Sequence, residues 1–65
     1  MTKAEQKQID RATTQGRGML LRTLAVLHRS GSAKTQREIE AQIAGAYADE
    51  EFVRINGVLL HRSEA

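Results

Sequence analysis

The sequence predicts an all-α fold, a small helical protein of two to three helices. The expected elements are a long basic N-terminal helix, a second helix from about residue 35 and a C-terminal helix. A β-hairpin over 51–62 is the alternative for the last. Three observations predict this. Thr2-Lys3-Ala4-Glu5 and Thr35-Gln36-Arg37-Glu38 both have the Thr-x-x-Glu spacing of a capping box, in which hydroxyl and carboxylate satisfy each other's backbone N–H groups. Apolar residues recur with the 3.6-residue period of an amphipathic helix. Proline, which would break a helix, is absent.

Taken in order, Ile9, Ala12, Leu20, Leu24 and Leu27, with Met19 at the edge, fall on one side of a helical wheel, predicting one helix from about residue 3 to 29. His28 and Arg29 sit in its last turn, where the helix dipole favours positive charge, and Gly31 is placed to act as a left-handed C-cap. Thr13–Gly18 is the weak stretch. Its two glycines cost about 2 kcal/mol relative to alanine in a helix interior, so either the helix kinks or residues 1–16 form a separate arm. In the second helix, Ile39, Ile43 and Ala46 make a narrow apolar stripe, and Gly45 marks the end. The third segment carries two competing signals. Asp49 as N-cap, with Glu50 and Glu51 in the first turn, starts a helix on which Phe52, Ile55 and Leu59 share a face. Asn56-Gly57 is instead a hairpin turn that would pair Ile55 with Val58 and Val53 with Leu60, and set Glu51 opposite Arg62. Helix is favoured, because a lone two-stranded ribbon is marginally stable.

Size and composition bound the rest. Sixty-five residues make a single domain. Without cysteine there is no disulfide framework and no thiolate metal site. Beyond Met1 only 16 side chains are Leu, Ile, Val, Met, Phe or Tyr, and nine residues are alanine. So thin a core is usually completed by self-association, and a homodimer is expected. No run of 18 apolar residues and no signal-peptide pattern is present, which implies a cytoplasmic protein with no membrane partner. His28 and His61 are the only imidazoles, and no spacing suggests a nucleophile–base–acid grouping. Gly16-Arg17-Gly18 is too short for a phosphate loop. No enzyme activity, catalytic residue, cofactor or metal is therefore expected.

Charge is divided along the chain. Residues 1–37 carry eight basic residues against Glu5 and Asp10, a net of +6, and residues 38–65 carry Arg54 and Arg62 against six acids, a net of −4. On a continuous first helix Lys7, Arg11, Arg22 and Arg29 would share a face opposite the apolar stripe, a surface for phosphates or an acidic protein. A helix-turn-helix can be drawn with Met19–Leu27 first, the helix from Thr35 second and Phe52–Leu59 as recognition helix. That helix would push Asp49, Glu50 and Glu51 against phosphates, so nucleic acid is the less favoured partner. Leu21, off the main stripe, and Tyr47, beside Glu50 and Glu51, are the remaining candidate contacts with a partner protein.

The opening Met1-Thr2-Lys3-Ala4-Glu5-Gln6-Lys7-Gln8-Ile9-Asp10-Arg11-Ala12 resembles the start of small accessory, early-region proteins of temperate and transposable proteobacterial bacteriophages. Glu50-Glu51-Phe52-x-Arg54-Ile55-x-Gly57 is similar to an element recurring among such proteins. The two stretches cover about a third of the chain. The resemblance implies stoichiometric binding to a host protein, such as a transcriptional activator, a pilus motor or a defence complex, in the host cytoplasm. The class shares no site, so no residue role comes with it. The expected function is inhibition or redirection of a host protein; the alternative is a helix-turn-helix-like DNA-binding regulator of a phage or plasmid.

Overall fold

The computed structural model describes residues 1–48 and 50–65, and the fold is mostly helical with one antiparallel ribbon. Helices α1 (Lys3–Thr14), α2 (Arg17–Ser30) and α3 (Ala33–Ala46) are followed by strands β1 (Phe52–Ile55) and β2 (Val58–His61) and a 3₁₀ turn at Arg62–Glu64. The all-α expectation is thus corrected over the last third of the chain.

The capping box at Thr2 and Glu5 forms as read: the Glu5 N–H donates to Thr2 Oγ1 at 3.1 Å and the Thr2 N–H to Glu5 Oε1 at 2.8 Å. The first helix is not continuous. Gly16 has φ of +112°, outside the helical range and strained for any side-chain-bearing residue, and it serves as the N-cap of α2. The chain reverses there, and α1 is folded onto α2 through Ile9 and Ala12, both buried, rather than standing apart as an arm.

Gly31 ends α2, but in extended rather than left-handed conformation (φ −87°, ψ 171°). Its requirement is space. A Cβ there would lie 2.6 Å from the Leu27 carbonyl oxygen and 2.7 Å from Thr35 Cγ2. This contact makes the α2–α3 turn tight. Ser32, not Thr35, caps α3, accepting the Thr35 N–H at 3.2 Å. Thr35 is buried, and its hydroxyl donates to Glu5 Oε1 at 3.0 Å, tying the first turns of α1 and α3 together. The Gln36 amide donates to the His28 carbonyl at 2.8 Å and pins the turn from its other side.

The core is Ile9, Leu20, Leu21, Leu24, Leu27 and Ile39, with Ile43, Tyr47 and Phe52 packed against it. Hairpin wins over helix at the C-terminus because the ribbon is not alone. Leu59, 1% exposed, packs β2 onto the bundle, Phe52 and His61 meet edge-to-face at 5.8 Å, and Arg29 donates to the Leu59 carbonyl at 3.2 Å. Asn56 (φ 52°) and Gly57 (φ 79°) make the two positive-φ residues of a tight two-residue turn. The register is the one read for the hairpin alternative: Ile55 opposite Val58 and Val53 opposite Leu60. Asp49, read as an N-cap, lies outside the described residues.

Candidate interaction site

The period of two along each strand decides what the hairpin shows to solvent. Leu59 faces inward, with Phe52, Arg54 and His61 on the same side. Val53, Ile55, Val58 and Leu60 therefore face outward as two stacked cross-strand pairs. Ile55 is 49% and Val58 42% exposed, while Val53 and Leu60 are half-buried. Among the described residues no further strand pairs with either edge, but on β2 the Leu59 carbonyl is taken by Arg29 and the His61 N–H by Glu64, so the β1 edge is the one with backbone groups able to pair.

The charges around this face are internally matched. Arg54 binds Glu40, and His28 Nε2 lies 2.8 Å from the same carboxylate. The bond from Arg54 holds the Glu40 carboxyl below its ordinary range, against a smaller opposing effect of burial. Burial pushes the Glu64 carboxyl up, but hydrogen bonds from the Arg29 guanidinium (2.9 Å) and the His61 N–H outweigh it, and the net direction is down. Glu51 pairs with Arg62 across the mouth of the hairpin, and Glu50 with Arg17.

These pairings redistribute the residues expected to touch a partner. Leu21 is corrected: at 3% exposure it is core, because α2 carries a buried face wide enough to include it. Tyr47 is half-buried against the core, with the Arg17 guanidinium 5.1 Å from its ring centroid. Glu50 and Glu51 are engaged by arginines rather than bare. Arg29, exposed at the end of α2, bonds the Leu59 carbonyl and Glu64. Lys7 and Arg11 lie exposed on α1 and Arg22 exposed on α2, so the single basic face drawn over one long helix does not exist. The recognition helix drawn over Phe52–Leu59 is a ribbon.

An open groove between α1 and α2 is lined by Gln8, Arg11, Ala12, Gln15, Met19 and Thr23. Its volume of about 170 Å³ is below the 300–1,000 Å³ typical of small-molecule pockets. Among the described residues, no three His, Asp or Glu side chains converge as a metal site would require, and no helix is long and apolar enough to cross a membrane. Comparison with known protein families, characterised proteins and solved structures finds no match to the chain. Function has to be read from the surface.

Proposed function

We propose that this protein acts by stoichiometric binding to another protein, without catalysis, and that the outward face of the hairpin is the surface it presents. One observation carries the reading: Val53, Ile55, Val58 and Leu60 form a continuous aliphatic face on a two-stranded ribbon. Covering what remains exposed of Ile55 and Val58 is worth about 1 kcal/mol each, roughly half the full-burial value. Pairing of a strand edge adds orientation. Both imidazoles serve structural contacts, His28 with Glu40 and His61 with Phe52 and Ser63, which supports a binding role over a chemical one.

In this reading the partner is a host protein, as the resemblance to small phage accessory proteins implies. The same face accounts for a homodimer when the partner is absent. The test is a pair of measurements on wild type and Ile55→Asp/Val58→Asp. Sedimentation should show a wild-type dimer at micromolar concentration and a monomeric variant with unchanged helical circular dichroism. The variant's affinity for any protein captured by wild type should fall at least about 100-fold, or about 2.7 kcal/mol. A wild-type monomer whose captured proteins bind the double variant equally well would overturn the proposal.

A further inference from the structure

The two edges of the ribbon are finished differently. In an antiparallel pair, facing residues alternate between those that exchange backbone bonds and those that do not. The Arg62 N–H donates to the Glu51 carbonyl at 2.9 Å, so Glu51 and Arg62 are a bonded pair. By alternation so are Val53 with Leu60 and Ile55 with Val58. Phe52, Arg54, Leu59 and His61 therefore turn their backbone groups toward the edges. On β2 these groups are used: Arg29 donates to the Leu59 carbonyl, and the His61 N–H donates to Glu64. On β1 the Phe52 N–H donates to the Glu50 carbonyl at 3.0 Å. Arg54 keeps both its N–H and its carbonyl unpaired among the described residues.

The β1 strand also lacks the devices that keep an edge from pairing. It holds no proline and no glycine, and its register with β2 runs without a bulge. An inward-facing charge is a further such device, and Arg54 supplies one. That charge is cancelled, because the guanidinium donates to both oxygens of the Glu40 carboxylate, at 2.5 and 2.6 Å. A single residue with a free donor and a free acceptor is self-complementary about a twofold axis, as an interface between identical subunits requires.

We infer that β1 pairs antiparallel with β1 of a second copy of this chain, Arg54 opposite Arg54, joining two hairpins into one four-stranded sheet. Such pairing rests on the hairpin being the interaction surface, as proposed above, and gives the homodimer its geometry. Each Arg54 N–H donates to the Arg54 carbonyl of the other copy, with the axis passing through the sheet between them. Val53 then stands opposite Ile55 of the second copy on the aliphatic side, and the two faces merge into one band. On the other side the two guanidinium groups approach, a like-charge contact that the Glu40 carboxylates offset. A second copy is selected over a foreign strand because donor and acceptor sit on one residue. So thin a core is also usually completed by self-association.

The chain has no cysteine, so disulfide trapping reads this register directly. Val53 and Ile55 of the two copies would form an unbonded pair with Cα atoms about 4.5 Å apart, within disulfide reach. A mixture of Val53→Cys and Ile55→Cys proteins should cross-link under mild oxidation at least about tenfold faster than either protein alone. Sedimentation of Arg54→Pro, which removes the edge-facing N–H, should show a dimer Kd raised at least about tenfold. Arg54→Ala loses the same side chain but keeps the N–H, and its Kd should stay within about threefold of wild type. Helical circular dichroism checks that both variants keep the fold. A wild-type monomer, no preferential cross-link in the mixture, or a dimer that Arg54→Pro leaves intact would overturn edge pairing. The aliphatic-face reading would survive any of these if Ile55→Asp/Val58→Asp still lost its captured partners. Preferential cross-linking with undiminished capture by that double variant would instead uphold edge pairing and remove the aliphatic-face reading.

Discussion

The helical pair α1 and α3 and the hairpin region carry similar numbers of charges, yet in the hairpin region they are neutralised by ion pairs and on the two helices most are not. Around the hairpin, Glu40, Glu50, Glu51 and Glu64 each meet an arginine, two of these (Arg17 and Arg29) contributed by α2 from the basic half of the chain. Across α1 and the start of α3, Lys3, Lys7, Arg11, Lys34 and Arg37 have no ion-pair partner among the described residues. The hairpin surface instead leaves aliphatic groups uncovered. A count of +6 followed by −4 therefore misdescribes the folded molecule. Of the acids that argued against nucleic acid in the linear chain, Glu50 and Glu51 are cancelled by Arg17 and Arg62.

The contrast depends on the hairpin staying docked, and its anchor is the sharpest place to break it. Leu59→Ala should have the largest effect on stability, about 2–5 kcal/mol, because it empties a fully buried site joining β2 to the bundle. Urea denaturation would measure the loss. Undocking would also separate Arg29 from the Leu59 carbonyl and Glu64. A stable, unaltered hairpin in this variant would show that the strand is held by something other than Leu59.

Gly31→Ala comes next, at about 1–3 kcal/mol, the usual range for overpacking. The added methyl would press on the Leu27 carbonyl oxygen, which accepts the Gly31 N–H at 2.8 Å and cannot retreat without loosening the end of α2. The first turns of α3 would shift with it, carrying Lys34 and Arg37. Stability should therefore fall, while self-association through the hairpin should change far less. That dissociation of effects sharpens the comparison between the two surfaces.

How much of this was legible depends on whether a feature is local. The Thr2–Glu5 cap, the apolar stripes and the hairpin register with its Glu51–Arg62 pair are short-range patterns, and each was readable from spacing. The choice between helix and hairpin was not, because it turned on Leu59 finding a buried site on the bundle. Leu21 was misplaced for a related reason: a narrow stripe suits a helix covered on one side, and α2 is covered by α1, α3 and β2. Val53, Ile55, Val58 and Leu60 were missed as site residues although the Asn56-Gly57 turn puts all four on one face of the ribbon. No spacing could have shown that the acids would be cancelled, since every such pair but Glu51–Arg62 joins distant segments.

Acid titration is the gentlest way to break the comparison, and its sign is fixed by the carboxylates. Glu40 and Glu64 have folded-state pKa values below the ordinary 4.5, Glu40 chiefly through Arg54 and Glu64 through Arg29 and the His61 N–H acting against burial. The native state thus binds fewer protons than the unfolded chain across that window. The stability they contribute is fully present above pH 4.5 and is lost as pH falls through the folded values. Both pairs are partly exposed, so each should be worth no more than about 1 kcal/mol, and less in high salt. Melting temperatures measured from pH 6 to pH 3 should decline, and Glu40→Gln should flatten part of that decline while lowering stability at pH 6. Over the same range both regions gain net positive charge, since α1 also carries a carboxyl, Glu5, that the Thr2 N–H holds below its ordinary range.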